Sequence, residues 1–151
     1  MAFVFNIAKG RVAELAALNG GANDALVVVL LQTGAQSNNN LQDHHTLAAV
    51  LAGGTGNVEA TFGGYSRKTL TGVTVTVNDT SNHVDVDAND PDWNPTSSQS
   101  LAKLLICYDP DTTSGTDANI VPLIGDDFIV TTPDTGILSY QVAAGGFFRA
   151  S

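Results

Sequence analysis

The stretch Val73-Thr74-Val75-Thr76-Val77, then Asn78, the polar run Asp79-Thr80-Ser81-Asn82, and His83-Val84-Asp85-Val86-Asp87-Ala88 decides the fold class. Strict alternation of apolar and polar residues is the period of a β-strand, whose side chains point to opposite faces in turn. Closing the two runs across residues 79–82 sets Val77 against Val84, Val75 against Val86 and Val73 against Ala88. Thr76 then faces Asp85, and Thr74 faces Asp87, on the other side. One register sorts every apolar residue onto one face, and a slip by one residue would turn all of them outward. The expectation is a hairpin with a Val face toward the core and a Thr and Asp face in water.

Outward from the hairpin, short apolar runs alternate with polar turn clusters at fairly regular intervals, which is the pattern of a mainly β domain. Ala25 to Gln32 is a continuous apolar run whose length and flanking Gly, Asn and Asp predict a strand buried on both faces. Leu101 to Tyr108 reads as a central strand. Asn119 to Ile124 returns as a strand in which Pro122 demands an edge position or a bulge. Phe128 to Thr132 and Ile137 to Val142 flank Pro133-Asp134-Thr135-Gly136, a turn with Pro at its first corner and Gly at its last. Arg11 to Leu18 carries Val12, Leu15 and Ala16 at helical spacing before Asn19-Gly20-Gly21, and Gly34 to Asn40 reads as a polar loop. Asp43 is placed to cap a second short helix through His44, Leu47, Val50 and Leu51, ended by Gly53-Gly54. The fold class expected is therefore mainly β: a single antiparallel β-sandwich or barrel-like domain over residues 1–151 with one or two short helices.

The 151 residues suit one ordinary domain, and 43% hydrophobic residues suffice for a core. Only 14% are charged, so the polar surface falls to Thr, Ser, Asn and Gly. A net charge of −9 with six Lys plus Arg leaves no basic patch for a phosphate backbone or an anionic bilayer, so neither nucleic acid nor membrane is an expected partner. The pairs Lys9 with Arg11 and Arg67 with Lys68 read as solvated surface able to meet an acidic partner locally. Met1 to Phe5 is apolar but short and lacks a basic start, and Lys9 interrupts it, so synthesis in a cytoplasm without cleavage is expected.

Chemistry-bearing patterns are sparse. Cys107 is the only cysteine and sits inside Leu104-Leu105-Ile106-Cys107-Tyr108, the setting of a core residue. His44 and His45 are adjacent and cannot share a helix face as metal ligands; a hydrolase built on them and Asp43 is the least favoured reading. Asp85, Asp87, Asn89, Asp90 and Asp92 offer oxygens at alternate positions, as calcium loops do. That candidate departs from the EF-hand pattern, with Asp90 at position six and Thr96 at position twelve, and solvated acidic surface is the simpler reading. Asp109 to Asp117 reads as turn formers bonding their own backbone in a loop long enough to project toward a partner. Gly53-Gly54-Thr55-Gly56 lacks the Lys-Ser or Lys-Thr of a phosphate loop and reads as a helix terminator. No cofactor and no active site are expected.

Asn6-Ile7-Ala8-Lys9-Gly10-Arg11, Ala25 to Leu31, Tyr65-Ser66-Arg67-Lys68-Thr69-Leu70, the acidic run ending at Trp93, Leu104 to Asp117 with Ile120-Val121-Pro122-Leu123, and Gly146 to Ser151 together carry a resemblance over nearly the whole chain. They resemble small structural proteins of tailed bacteriophages and prophages. The resemblance implies a non-enzymatic virion component, either a head-decoration (cement) protein or a tail-associated one. It implies a homo-oligomer bound to other virion proteins such as a major capsid protein. On that reading the apolar chain ends, residues 1–10 and 145–151, make the subunit contacts, with Phe3, Val4, Phe5, Phe147, Phe148 and Arg149 as the interface residues. For the C-terminus, docking on a neighbour is slightly preferred to folding back onto the core. A carbohydrate-binding β-sandwich using Trp93, Tyr65 and calcium in the acidic loops is the rival from another class.

Overall fold

A computed structural model describes residues 2–151. Five strands form an antiparallel sheet: β1 (Phe3–Val4), β2 (Ala25–Gln32), β3 (Lys68–Thr69), β7 (Ser100–Asp109) and β8 (Val121–Thr131), in the order β1-β8-β7-β2-β3. β4 (Thr74–Asn78), β5 (His83–Asp87) and β10 (Phe148–Ala150) form a second sheet in the order β10-β5-β4. β6 (Asp92–Trp93) and β9 (Leu138–Ser139) pair separately. The protein is mainly β and antiparallel, as expected; among the described residues the pairing makes three open sheets and closes no barrel.

The large sheet is built on its two most apolar segments. β2 is buried at seven of its eight residues, so neither face is free for water. Its neighbour β7 lies in the sheet's middle, with Val28 opposite Ile106 and Leu30 opposite Leu104. Leu26, Leu30, Leu31, Leu104 and Leu105 are all at most 1% exposed. Each such side chain contributes roughly 1.5–3 kcal/mol by leaving water. Pro122, which has no N–H to give, sits opposite Cys107 where the β7–β8 register shifts, so the expected bulge is present.

Several boundaries differ from the sequence expectation. The strands expected at 119–124 and 128–132 are one eleven-residue strand, β8, because ten-residue β7 offers a continuous template across Gly125-Asp126-Asp127. The strand expected at 137–142 shrinks to β9, which pairs with β6 and not with β8. Among the described residues there are three short α-helices where one or two were expected: α1 (Val12–Ala17), α2 (Asn38–Leu41) and α3 (Leu47–Val50). α1 falls where helical spacing predicts it, whereas α2 begins inside the presumed polar loop. Thr46, not Asp43, caps α3, its Oγ1 accepting the Ala49 N–H at 3.1 Å. Asp43 instead accepts a hydrogen bond from Asn6 Nδ2 at 2.6 Å.

The hairpin has the register read from its alternation: Val77 opposite Val84, Thr76 opposite Asp85, Val75 opposite Val86 and Thr74 opposite Asp87. Burial along its Val face is graded. Val86 is fully buried, Val75 and Val84 are half-buried, and Val77 is 66% exposed, so only the base of the hairpin joins the core.

Candidate contact surface

The chain ends fold back onto their own domain. β1 pairs with the middle of β8, Phe3 opposite Gly125 and Val4 opposite Ile124, and the Phe5 N–H donates to the Leu123 carbonyl at 3.0 Å. The Phe3 and Phe5 rings lie 5.2 Å apart, tilted by 47°. Gly125 makes this possible, since a Cβ there would fall 2.3 Å from Phe3 Cζ.

At the other end Gly146 takes φ +84°, and a Cβ on it would lie 2.1 Å from the Val86 carbonyl oxygen. Only glycine turns the chain so tightly against β5. The Phe147 N–H then donates to that carbonyl at 2.9 Å, and β10 runs along β5 with Phe148 opposite Val86 and Arg149 opposite Asp85. Within the chain the C-terminus takes the folded-back alternative: residues 148–150 are a strand of the protein's own sheet. Pairing of this kind satisfies backbone groups that a free tail would leave to water.

These folded-back ends meet at one shallow cleft of about 170 Å³, lined by Ala2, Phe3, Val4 and Ile124 and by Phe147, Phe148 and Arg149. Of the six interface residues expected from sequence, five line it. Phe3, Val4, Phe147 and Phe148 are half-buried and Arg149 is exposed. Phe5 is the exception, at 0% exposure, because it is a core anchor beneath β8 and has no surface to offer a partner. Ile124 and Gly125 escaped the sequence reading, although a glycine inside an apolar strand pattern is a signal for close approach of another chain segment.

The other candidates separate. Asp85 is held by Arg149 and lies 3.0 Å from His83 Nε2, Asp87 accepts its neighbour Ala88's N–H, Asn89 bonds Thr71, and Asp90 accepts the Val142 N–H at 2.7 Å. Asp92 is an exposed residue of β6. Among the described residues no group of three or more His, Cys, Asp or Glu side chains is placed to hold a metal ion. The calcium arrangement is therefore not assembled among the described residues: the Asp85, Asp87 and Asp90 carboxylates accept hydrogen bonds from nearby groups instead.

Asp111 accepts from the N–H and hydroxyl groups of both Thr113 and Ser114, which hold its carboxyl well below the usual carboxylate range. The 109–117 loop is thus the set of self-bonded turns expected. It is also tied down, the Thr112 N–H to the Asn23 carbonyl and Asp117 to Arg67.

Arg67 is no free surface cation. Its guanidinium makes two-pronged contacts with Glu59 (2.8 and 2.7 Å) and with Asp117 (2.5 and 2.9 Å). Tyr65 adds its hydroxyl to Glu59 at 2.8 Å while accepting the Leu30 N–H at 3.2 Å. Burial, then the nearby Glu59 charge, pushes the Tyr65 phenol far above its ordinary value. Trp93, the residue suited to stacking on a sugar, is 0% exposed and donates from Nε1 to the Ser66 carbonyl, so no ring face is presented. Cys107 is buried, and burial holds its thiol well above its ordinary pKa, the opposite of an activated nucleophile. His44 Nε2 is bound to Gln36 at 2.8 Å and Asp43 to Asn6, so the two do not form a catalytic pair.

Compared with protein-family models, with curated proteins and with solved structures, the chain matches none.

Proposed function

We propose that the protein is a non-enzymatic structural component of a tailed-phage particle, a capsid decoration protein that binds the head lattice as a homo-oligomer. The observation that carries this reading is the convergence of both chain ends on a single apolar cleft beside open sheet edges. Partly buried aromatic and aliphatic side chains around a shallow cleft are the anchors a protein partner uses, and an acidic surface rich in Thr keeps the rest soluble. The resemblance of nearly the whole chain to small tailed-phage structural proteins points the same way.

The test is particle occupancy. Purified particles from cells making the tagged protein should contain it in a copy number matching the capsid lattice; a handful of copies indicates the tail, and complete absence overturns the reading. Val4→Lys puts a charge at the cleft on a short edge strand, where the fold tolerates it. That variant should keep its circular dichroism spectrum and lose at least about tenfold in occupancy. Undiminished occupancy would overturn the role of the chain ends.

A further inference from the structure

The outer edge of β4 is unlike the sheet edges that proteins usually leave open. β4 closes the order β10-β5-β4, with α1 packed against both β4 and β5, and among the described residues no main-chain hydrogen bond outside the strand ladders involves residues 73–78. Natural edges are protected by Lys, by Pro, by bulges or by a covering element. Here Val73-Thr74-Val75-Thr76-Val77-Asn78 holds no charge, proline or glycine, pairs with β5 in unbroken register, and carries β-branched residues at its first five positions. Thr74, Thr76 and Val77 are exposed.

Val73 to Val77 also reads the same in both directions. Antiparallel pairing of two copies about an axis at Val75 sets Val73 against Val77, Val75 against Val75 and Thr74 against Thr76. Every Val then meets Val on one face and every Thr meets Thr on the other, the self-complementarity a two-fold contact requires. Electrostatics permits it even between chains of −9. Asp85 and Asp87, opposite Thr76 and Thr74 within the hairpin, are one strand inward, so across the contact they stand about three strand spacings, or ~14 Å, apart. That exceeds the ~8 Å screening length of physiological salt.

We infer that β4 is a self-association edge, at which a second copy of this chain adds its own β4 and joins the two three-stranded sheets into one of six strands. The inference specifies the oligomer within the proposed function but rests on this edge alone, so it can fail while particle binding survives. Five residues a side make a small contact, near the weak end of protein interfaces, and association is concentration-dependent. Display on a repeated lattice raises the effective concentration and completes it.

Cross-linking of the full chain tests the register. Val75→Cys brings two thiols face to face on the axis, within disulfide reach, whereas Thr76→Cys faces Thr74 of the other copy. Under mild oxidation Val75→Cys should give a covalent dimer at least about tenfold faster than Thr76→Cys, with buried Cys107 silent in both. Thr74→Lys with Thr76→Lys places Lys opposite Lys between copies, yet opposite Asp87 and Asp85 within its own hairpin, so the fold is kept. Sedimentation should show wild type dimerising as concentration rises and the double variant weakened at least about tenfold. Wild type that stays monomeric at high concentration, equal cross-linking at 75 and 76, or a double variant that dimerises normally would each overturn the inference. Particle occupancy measured alongside separates this result from the proposed function.

Discussion

The guanidinium of Arg149 grips the carboxylate of Asp85 through two hydrogen bonds, Nε to Oδ1 at 2.6 Å and Nη2 to Oδ2 at 3.2 Å. The two residues are also register partners between β10 and β5, so the ion pair and the strand pairing hold each other in place. The hydrogen-bonded Arg149 guanidinium holds the Asp85 carboxyl below its ordinary value. A chain end fixed this way turns Phe147 and Phe148 from a loose tail into part of a shaped surface.

Removing the guanidinium should release that end without unfolding the domain. In Arg149→Ala the amide signals of Phe148 and Ala150 should move toward disordered positions at pH 7, and carboxypeptidase should trim residues 147–151 faster. The wild-type end has its own pH dependence. A carboxylate whose folded pKa is depressed contributes above its unfolded value, about 3.9 for Asp, and loses that contribution as pH falls through the folded value. The wild-type signals should therefore hold from pH 7 to 5 and shift only in strong acid. Arg149→Ala should show no such acid step, and wild-type signals in that variant would contradict the pinning.

Arg67 ties together three segments distant in sequence, since Glu59 precedes β3 and Asp117 belongs to the loop before β8. Hydrogen bonds from Arg67 to Glu59, then to Asp117, raise the guanidinium pKa further above its already high value. Removing one partner of a buried pair strands the others, a loss of several kcal/mol when burial is complete. Here the side chains remain 21–37% exposed, which discounts it. Arg67→Ala should cost about 2 kcal/mol in urea denaturation, and Arg67→Lys nearly as much, because an ammonium cannot reproduce two forked contacts. A loss indistinguishable from zero would show the clamp to be ornamental.

Lys103 is a nearly buried cation in the central strand β7, and its ammonium is bound by Asn38 Oδ1 and Asp127 Oδ1. Its hydrogen bond is the largest of the causes that draw the Asp127 pKa down to about 2. The folded value lies below the unfolded one, so this contribution is complete above about pH 4 and is lost as pH falls from there to about 2. Lys103→Met keeps most of the apolar length of the side chain and leaves Asp127 with access to water, so its stability at pH 7 should lie within about 1 kcal/mol of wild type. Its urea midpoint should then fall less steeply between pH 4 and pH 2. Parallel pH profiles for the two proteins would refute the assignment.

What the sequence made legible is what local periodicity encodes. The hairpin register and the doubly buried β2 were readable because β-branched residues at period two, or an unbroken apolar run between turn residues, admit few placements. The illegible parts are long-range choices. Gly145-Gly146 announces a turn, yet nothing local says that Phe148 will pair with Val86, far back in the chain. Phe3-Val4-Phe5 offers two similar rings with no cue to which is buried. Arg67 resembled a surface cation because its partners lie 8 and 50 residues away. Gly125-Asp126-Asp127 looked like a break because the strand they continue is templated by β7.

Gly125 offers the sharpest test of the contact surface. A methyl group at 125 would lie 2.3 Å from Phe3 Cζ and 2.5 Å from Cε1, well inside van der Waals contact. The ring is the far end of a half-buried side chain, so it is the part that yields, lifting off β8 and loosening β1. Gly125→Ala should therefore cost about 1–2 kcal/mol, the usual penalty of overpacking. In a Phe3→Ala background the three atoms nearest the added methyl are gone, and the same substitution should cost much less. The double-mutant cycle should return a coupling of about 1 kcal/mol or more between two residues far apart in sequence. Strict additivity would mean that the ring does not rest on the glycine. On the proposed function Gly125→Ala should also lower particle occupancy, because the cleft loses Phe3 from its lining while the core beneath, Phe5 included, stays packed.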